Sequence, residues 1–230
     1  ALGTVRSYQY GMAAGRLAVL SASSASEDPN KDSAATRSQG AAGTIDSQTD
    51  FLGVQTQYQY DGLPAGSAAG AYSRRLLTQS TRAAGQPEEQ STRTQWHPSY
   101  NLPLETIEAG RTAGSGAALA DLRKTTYSYN SAGQIQSIHT QDLQNPNAPA
   151  QTISLTLYGD TPADPAAFKG LLKSTSTAAA GTTTLAYDNL GHIASSTNAL
   201  GQTTSYSHDL AGRITTITTP DGTKTTYSYN

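Results

Sequence analysis

A period of 21 residues runs through the last third of the chain, and it limits the folds available more than any other feature. Asp188, Asp209 and Asn230 are 21 apart, as are Gly191 and Gly212, Ile193 and Ile214, and Gly201 and Gly222. A unit this short cannot bury its own apolar face, so copies must stack on one another to fold. Each unit reads Gly-x-Thr-Thr/Lys-Thr, a Tyr-x-Tyr-Asp-like core, x-x-Gly, a basic or polar residue, an aliphatic residue and a Thr/Ser run. The full copies run from Thr184 to Gly201, with Tyr187, Asp188 and Gly191, and from Thr203 to Gly222, with Tyr206, Asp209, Gly212 and Arg213. Tyr227 and Tyr229 begin a further copy, and Tyr127, Tyr129, Asn130 and Gly133 match well upstream. Tyr58, Tyr60 and Asp61, and Tyr8 and Tyr10, match after small insertions, while Trp96 to Pro103 and Leu155 to Tyr158 read as decayed copies.

The unit predicts a β-hairpin. In Thr204 to His208 larger residues alternate with small polar ones, the period-2 pattern of a half-buried strand. Asp209 can then bond the backbone two residues on, and Gly212 supplies the positive φ of a type I turn with a G1 bulge. Arg213 to Thr219 is the β-branched return strand, and Pro220-Asp221-Gly222 links to the next unit. The aliphatic pairs Ile214/Ile217, Ile135/Ile138 and Leu17/Leu20 lie three apart, on opposite faces of a regular strand. Either a bulge rotates one member, or the sheet is packed on both sides. Single hairpins are marginal in water, so the units are expected to stack as one continuous antiparallel sheet. Tyr supplies cross-strand aromatic area while its hydroxyl can still face water.

The organisation expected is one continuous all-β array rather than separate domains. Residues 1–124 hold degenerate repeats with loop insertions at about 21–53 and 109–120, and residues 125–230 hold the regular repeats of period 21. A short helical turn is expected at Ala117 to Arg123. Asn145 to Pro149 and Asp160 to Pro165 are turn-formers.

Composition fits such an array better than a compact domain. Leu, Ile, Val and Phe together number 33 of 230 residues, too few for an ordinary core. A chain this poor in aliphatics is often disordered, but disorder comes with high net charge, and here the formal charge is -2. With 15 basic and 17 acidic residues and no dense Lys/Arg cluster, nucleic acid is not an expected partner. No apolar run is long enough to span a bilayer, and no signal-peptide layout opens the chain. The absence of Cys removes disulfides, thiolate metal sites and Cys nucleophiles.

The string Tyr-x-Tyr-Asp/Asn-x-x-Gly-Arg/Gln-aliphatic, led by Gly-x-Thr-Thr, resembles the RHS or YD repeat of bacterial polymorphic toxins, Tc toxin C components, wall-associated proteins and teneurins. Trp96 to Pro103 is similar to a family variant in which a Pro-x-aromatic-Asn-Leu-Pro string replaces the usual turn. The resemblance implies a curved or spiralling sheet of hairpins forming part of a hollow β-shell, which encloses or presents a toxin or effector polypeptide. The partners it implies are the remainder of a longer YD-repeat chain and the enclosed effector, and the location is secreted or cell-surface. The chain opens and stops partway through a unit, so it reads as an excerpt. It lacks the C-terminal segment that carries an autoproteolytic site in the shell families, so no cleavage activity is expected.

No catalytic, cofactor or metal residues are expected, and the chain reads as a non-enzyme. His97, His139, His192 and His208 are the only imidazoles. His192 stands where other repeats carry Arg213 or Gln134, and His208 where they carry Tyr129 or Tyr187, so repeat substitution accounts for both. Asp28 to Asp32 begins like a calcium loop, but Ser33 stands where Gly is needed and Gln39 where Glu is needed. Gly-x-Ser-x-Gly, Walker and His-Glu-x-x-His strings are absent. The alternative to a shell segment is an adhesion or carbohydrate-binding module that uses exposed Tyr rows to stack sugars. The two unpaired sheet edges of a free-standing array predict edge-to-edge self-association.

Overall fold

The computed structural model describes residues 6–13, 15–24, 33–39, 43–62, 74–111 and 118–230. Among these residues it is all-β, with 17 strands of one antiparallel sheet and one 3-10 turn, Ala166–Phe168. No helix among these residues is long and apolar enough to cross a membrane.

The chain divides into two compact units, Ala1–Thr125 with Asp142–Asn147, and Thr126–Gln141 with Ala148–Asn230. The first contains β1 (Arg6–Ala13), β2 (Arg16–Ser24), β3 (Ser33–Gln39), β4 (Ile45–Thr49), β5 (Gln55–Tyr60), β6 (Leu77–Arg82), β7 (Gln90–Trp96) and β8 (Pro103–Arg111). From β1 to β8 each strand pairs antiparallel with the next. The hairpin of β9 (Leu119–Tyr129) and β10 (Ile135–Asp142) contributes residues to both units.

Two expectations fail in the first unit. The span 21–53, expected to be a loop insertion, contains the last four residues of β2 together with β3 and β4, joined by ladders such as Thr36↔Thr49. Its Ser, Ala and Gln side chains carry no apolar alternation, so the strands there are held by backbone bonds to their neighbours. Leu119 to Arg123, expected as part of a helical turn, is strand, because β9 continues into the Tyr127/Tyr129 repeat. The calcium-like stretch 28–32 and the middle of the second expected insertion, 112–117, lie outside the described residues.

The second unit continues with β11 (Gln151–Leu157), β12 (Leu172–Thr177), β13 (Gly181–Tyr187), β14 (Ile193–Thr197), β15 (Thr203–His208), β16 (Ile214–Thr218) and β17 (Lys224–Thr226), each again paired with the next. The link between hairpins is not a separate device. The turns at Asn198 and Thr219 close with the same two backbone bonds as those at Asp188 and Asp209: the first residue donates to the carbonyl four on, and the Gly donates back. Asn198 repeats the side-chain bonding as well, so one turn chemistry serves both ends of the strands.

The bulge reading of the aliphatic spacing is the one realised. Ser207 pairs with Thr216 but His208 with Ile214, so Thr215 is the extra residue and Ile214 joins Ile217 on one face. That face also carries Tyr206 and His208, both half-buried, while Ser205 and Ser207 on the other are exposed. Among the described residues only Ala83, Ser91, Ala109, Gly110 and Leu157 are buried. The sheet therefore coheres by half-burying many side chains rather than enclosing a few.

Candidate functional site

The repeat positions build three recurrent contacts. The first is the turn. Asp188 Oδ1 accepts hydrogen bonds from Leu190 N and His192 N, each at 2.9 Å. Asp209 does the same for Ala211 and Arg213, Asn130 for Ala132 and Gln134, and Asp50 for Leu52 and Val54. These bonds hold the carboxyls of Asp188, Asp209 and Asp221 below the ordinary carboxylate range, chiefly through backbone N–H donors at the first two and the Thr219 hydroxyl at the third.

The second contact is the second Tyr of three units, Tyr60, Tyr187 and Tyr229. Its hydroxyl was expected to reach water, and instead it is bonded. Tyr60 donates to Ile45 O, Tyr187 to Leu172 O and Tyr229 to Ile214 O, always 15 residues back. Each reaches the first residue of the preceding strand, where the bulge leaves a carbonyl exposed to it. Trp96 fills the same position in a decayed copy, donating Nε1–H to Leu77 O at 2.8 Å. Burial raises the phenols of Tyr60, Tyr129 and Tyr187 above their usual value. Tyr58, Tyr127 and Tyr206, the first Tyr of their units, are half-buried on the same face. Tyr8 and Tyr10 are more than half exposed.

The third contact joins one turn to the next. Arg213 Nε donates to Asp209 Oδ2 at 2.7 Å, and its guanidinium lies 4.5 Å from the centre of the Tyr229 ring, 16 residues on. The residue after the turn glycine thus leans on the neighbouring unit. At Gly212 this is a close approach as well as a positive φ of 78°, since an added Cβ would lie 2.7 Å from His192 Nε2. Gly133 and Gly191 have the same left-handed φ. Asp61 departs from the pattern: its Oδ1 accepts from Leu76 N and closes the long connection between β5 and β6.

One repeat replaces both members of the third contact with imidazoles. His192 takes the place of Arg213 and His208 that of Tyr229, with the same 16-residue separation, and their rings are 4.9 Å apart. Asp188 Oδ2 lies 3.1 Å from His192 Nδ1 and 3.9 Å from His208 Nδ1. Considered one at a time, the two substitutions look unrelated. The signal that joins them is the 16-residue register, legible only once Arg213 is seen over Tyr229. His97 serves its turn, accepting at Nδ1 from Ser99 N and Tyr100 N, and His139 bonds Thr152. No Ser-His or paired-carboxylate arrangement suited to catalysis occurs among the described contacts.

The RHS repeat family model matches residues 187–224 and 208–230, so the C-terminal units are RHS repeats. Comparison with curated proteins finds no match. Among solved structures, that of TcdB2-TccC3-Cdc42 aligns at 12% identity over 97% of this chain and 14% of the other, with a TM-score of 0.37. The crystal structure of TcdB2-TccC3 aligns at 14% identity over 97% of this chain and 15% of the other, with a TM-score of 0.38. A Photorhabdus luminescens Tc holotoxin pore aligns at 14% identity over 87% of this chain and 13% of the other, with a TM-score of 0.23. The chain therefore spans about one seventh of the length of the first of these structures.

Proposed function

We propose that this chain is a non-enzymatic segment of an RHS/YD-repeat shell, secreted with or presented alongside a toxin or effector polypeptide that the longer repeat chain encloses. The observation that carries this reading is the sameness of the unit-to-unit contacts. Tyr hydroxyls reach back 15 residues and post-glycine side chains reach forward 16, so further units extend the sheet without a new kind of contact. A sheet with almost no enclosed core is suited to forming a wall.

The test is purification of the longer protein that contains this chain, followed by protease treatment. An effector that survives inside the assembly and is digested when free is the expected result. A longer protein holding no additional polypeptide, or one whose effector is cut as fast as the free form, overturns enclosure. The sugar-binding alternative gains little, because the rings of Tyr60 and Tyr187 are half-buried in the sheet rather than exposed as a row. In isolation, the open strand edges favour edge-to-edge association, and light scattering showing a monomer at all concentrations would remove that element.

A further inference from the structure

We propose that Asp188, His192 and His208 form a binding site for a divalent transition-metal ion, with Zn2+ the ion whose chemistry fits best. Two imidazoles and one carboxylate are a ligand set that suits Zn2+, and three protein ligands leave a fourth position for water. One ligand atom from each of the three lies within 4.8 Å of the other two. Tetrahedral coordination places ligand atoms roughly 3.3 Å apart. Small rotations of the two imidazoles therefore close the site without moving the strands.

Three features prepare the geometry. The turn uses only Oδ1 of Asp188, which leaves Oδ2 aimed at both rings. His192 sits on the turn connecting β13 to β14, and His208 ends β15, so the site bridges two consecutive hairpins. Its exposure is graded: the His208 side chain is 9% exposed, against 30% for His192 and 34% for Asp188, which opens one side to an ion and its water.

His208 supplies the second argument. At its repeat position Tyr60, Tyr187 and Tyr229 each donate a hydrogen bond to a backbone carbonyl, a bond that the His208 side chain does not make. Instead its ring stands 3.9 Å from Asp188 Oδ2 and 4.9 Å from the His192 ring, placed to offer a nitrogen to an ion shared with them. The neighbouring unit shows what stands at these positions without a chelate: an Arg, its Asp and a Tyr ring. Replacement of Arg and Tyr by His at two touching positions exchanges a cation–π contact for a pair of ligands around the same carboxylate.

The neighbouring unit also supplies variants that preserve the fold. His192→Arg and His208→Tyr restore the residues of the Arg213/Tyr229 contact, and Asp188→Asn keeps the turn bonds that Asn130 and Asn198 already make. The experiment titrates the full chain with Zn2+ by calorimetry, follows the imidazole resonances by NMR, and reverses binding with EDTA. The expected result is one saturable site that perturbs His192 and His208 but not His97 or His139, and a melting temperature raised by Zn2+. Each of the three variants is expected to fold and to bind at least about 10-fold more weakly, while His139→Gln binds as the parent does. Absence of saturable binding, or binding that both histidine variants retain, overturns the proposal.

Discussion

The turns of residues 181–223 and the long strands of residues 90–125 keep adjacent strands together by different means. In the former, the same turn recurs at Asp188, Asn198, Asp209 and Thr219, and side chains reach 15 or 16 residues to the same partner in the next unit. In the latter, charge takes over. Arg93 Nη2 donates to both carboxylate oxygens of Asp121 and Arg123 Nη2 to both of Glu108, Lys124 pairs with Glu105, and Arg111 clamps Glu89. Turn contacts need a particular residue at every twenty-first position, so the sequence there stays periodic. Ion pairs between strands need only opposite charges at facing positions, which leaves the sequence free to lose its period.

The largest test of this contrast is at two glycines with similar backbone but different neighbours. Gly181 has φ of 68°, and an added Cβ would lie 2.5 Å from Ala199 Cβ, whereas Gly53 has φ of 79° with nothing within 4 Å. Gly181→Ala is expected to cost about 3 kcal/mol in urea unfolding, from the left-handed backbone plus overpacking. Gly53→Ala is expected to cost about 1 kcal/mol. Equal losses would show that crowding between turns of the regular array plays no part.

Next come the hydroxyl bonds. Tyr187→Phe keeps the ring and removes the bond to Leu172 O, with an expected loss of about 1 kcal/mol. Tyr10→Phe, at an exposed ring, is expected to change stability by less than about 0.5 kcal/mol. If the two variants unfold at the same urea concentration, the bond found in Tyr60, Tyr187 and Tyr229 does not hold the array together.

Acid sharpens the contrast further. The folded carboxyls of Asp188, Asp209 and Asp221 titrate below their unfolded value, and Asp164, paired with Lys173, is brought down to about 2. A depressed folded pKa stabilises above the unfolded value and is lost as pH falls through the folded one. Stability is therefore expected to be flat above about pH 5 and to decline from about pH 4 toward 2. Asp209→Asn is expected to flatten that decline in urea midpoints measured across pH. An unchanged acid limb would remove the turn carboxylates as its cause.

The smallest effect is expected at Arg123→Ala. The Arg123–Glu108 pair is about half exposed on both sides, and exposed pairs are weak and screened by salt. The difference from the parent should shrink further in 1 M NaCl. A large, salt-insensitive loss would show that this pair acts through buried contacts instead.

Much of this was legible in the residues. The alternation in Thr204 to His208, the Asp-x-x-Gly turn and the three-residue spacing of Ile214 and Ile217 each pointed to a feature that the sheet contains. Other parts were not. The strands at 33–39 and 45–49 carry small polar side chains without alternation, so composition marked them as loop. The helical turn expected from Ala117 to Arg123 gives way to strand over Leu119–Arg123, where β9 runs on into Tyr127 and Tyr129.

The period, the hairpin and its turn chemistry were settled by sequence alone, because they depend on residues within a few positions of one another. The bonding of Tyr187 to Leu172, the bulge that brings Ile214 and Ile217 to one face, and the meeting of Asp188, His192 and His208 were decided by tertiary structure. Each depends on ladder register, which sets residues 15 to 20 apart in the chain side by side, and a shift of one residue would turn every one of them to the opposite face.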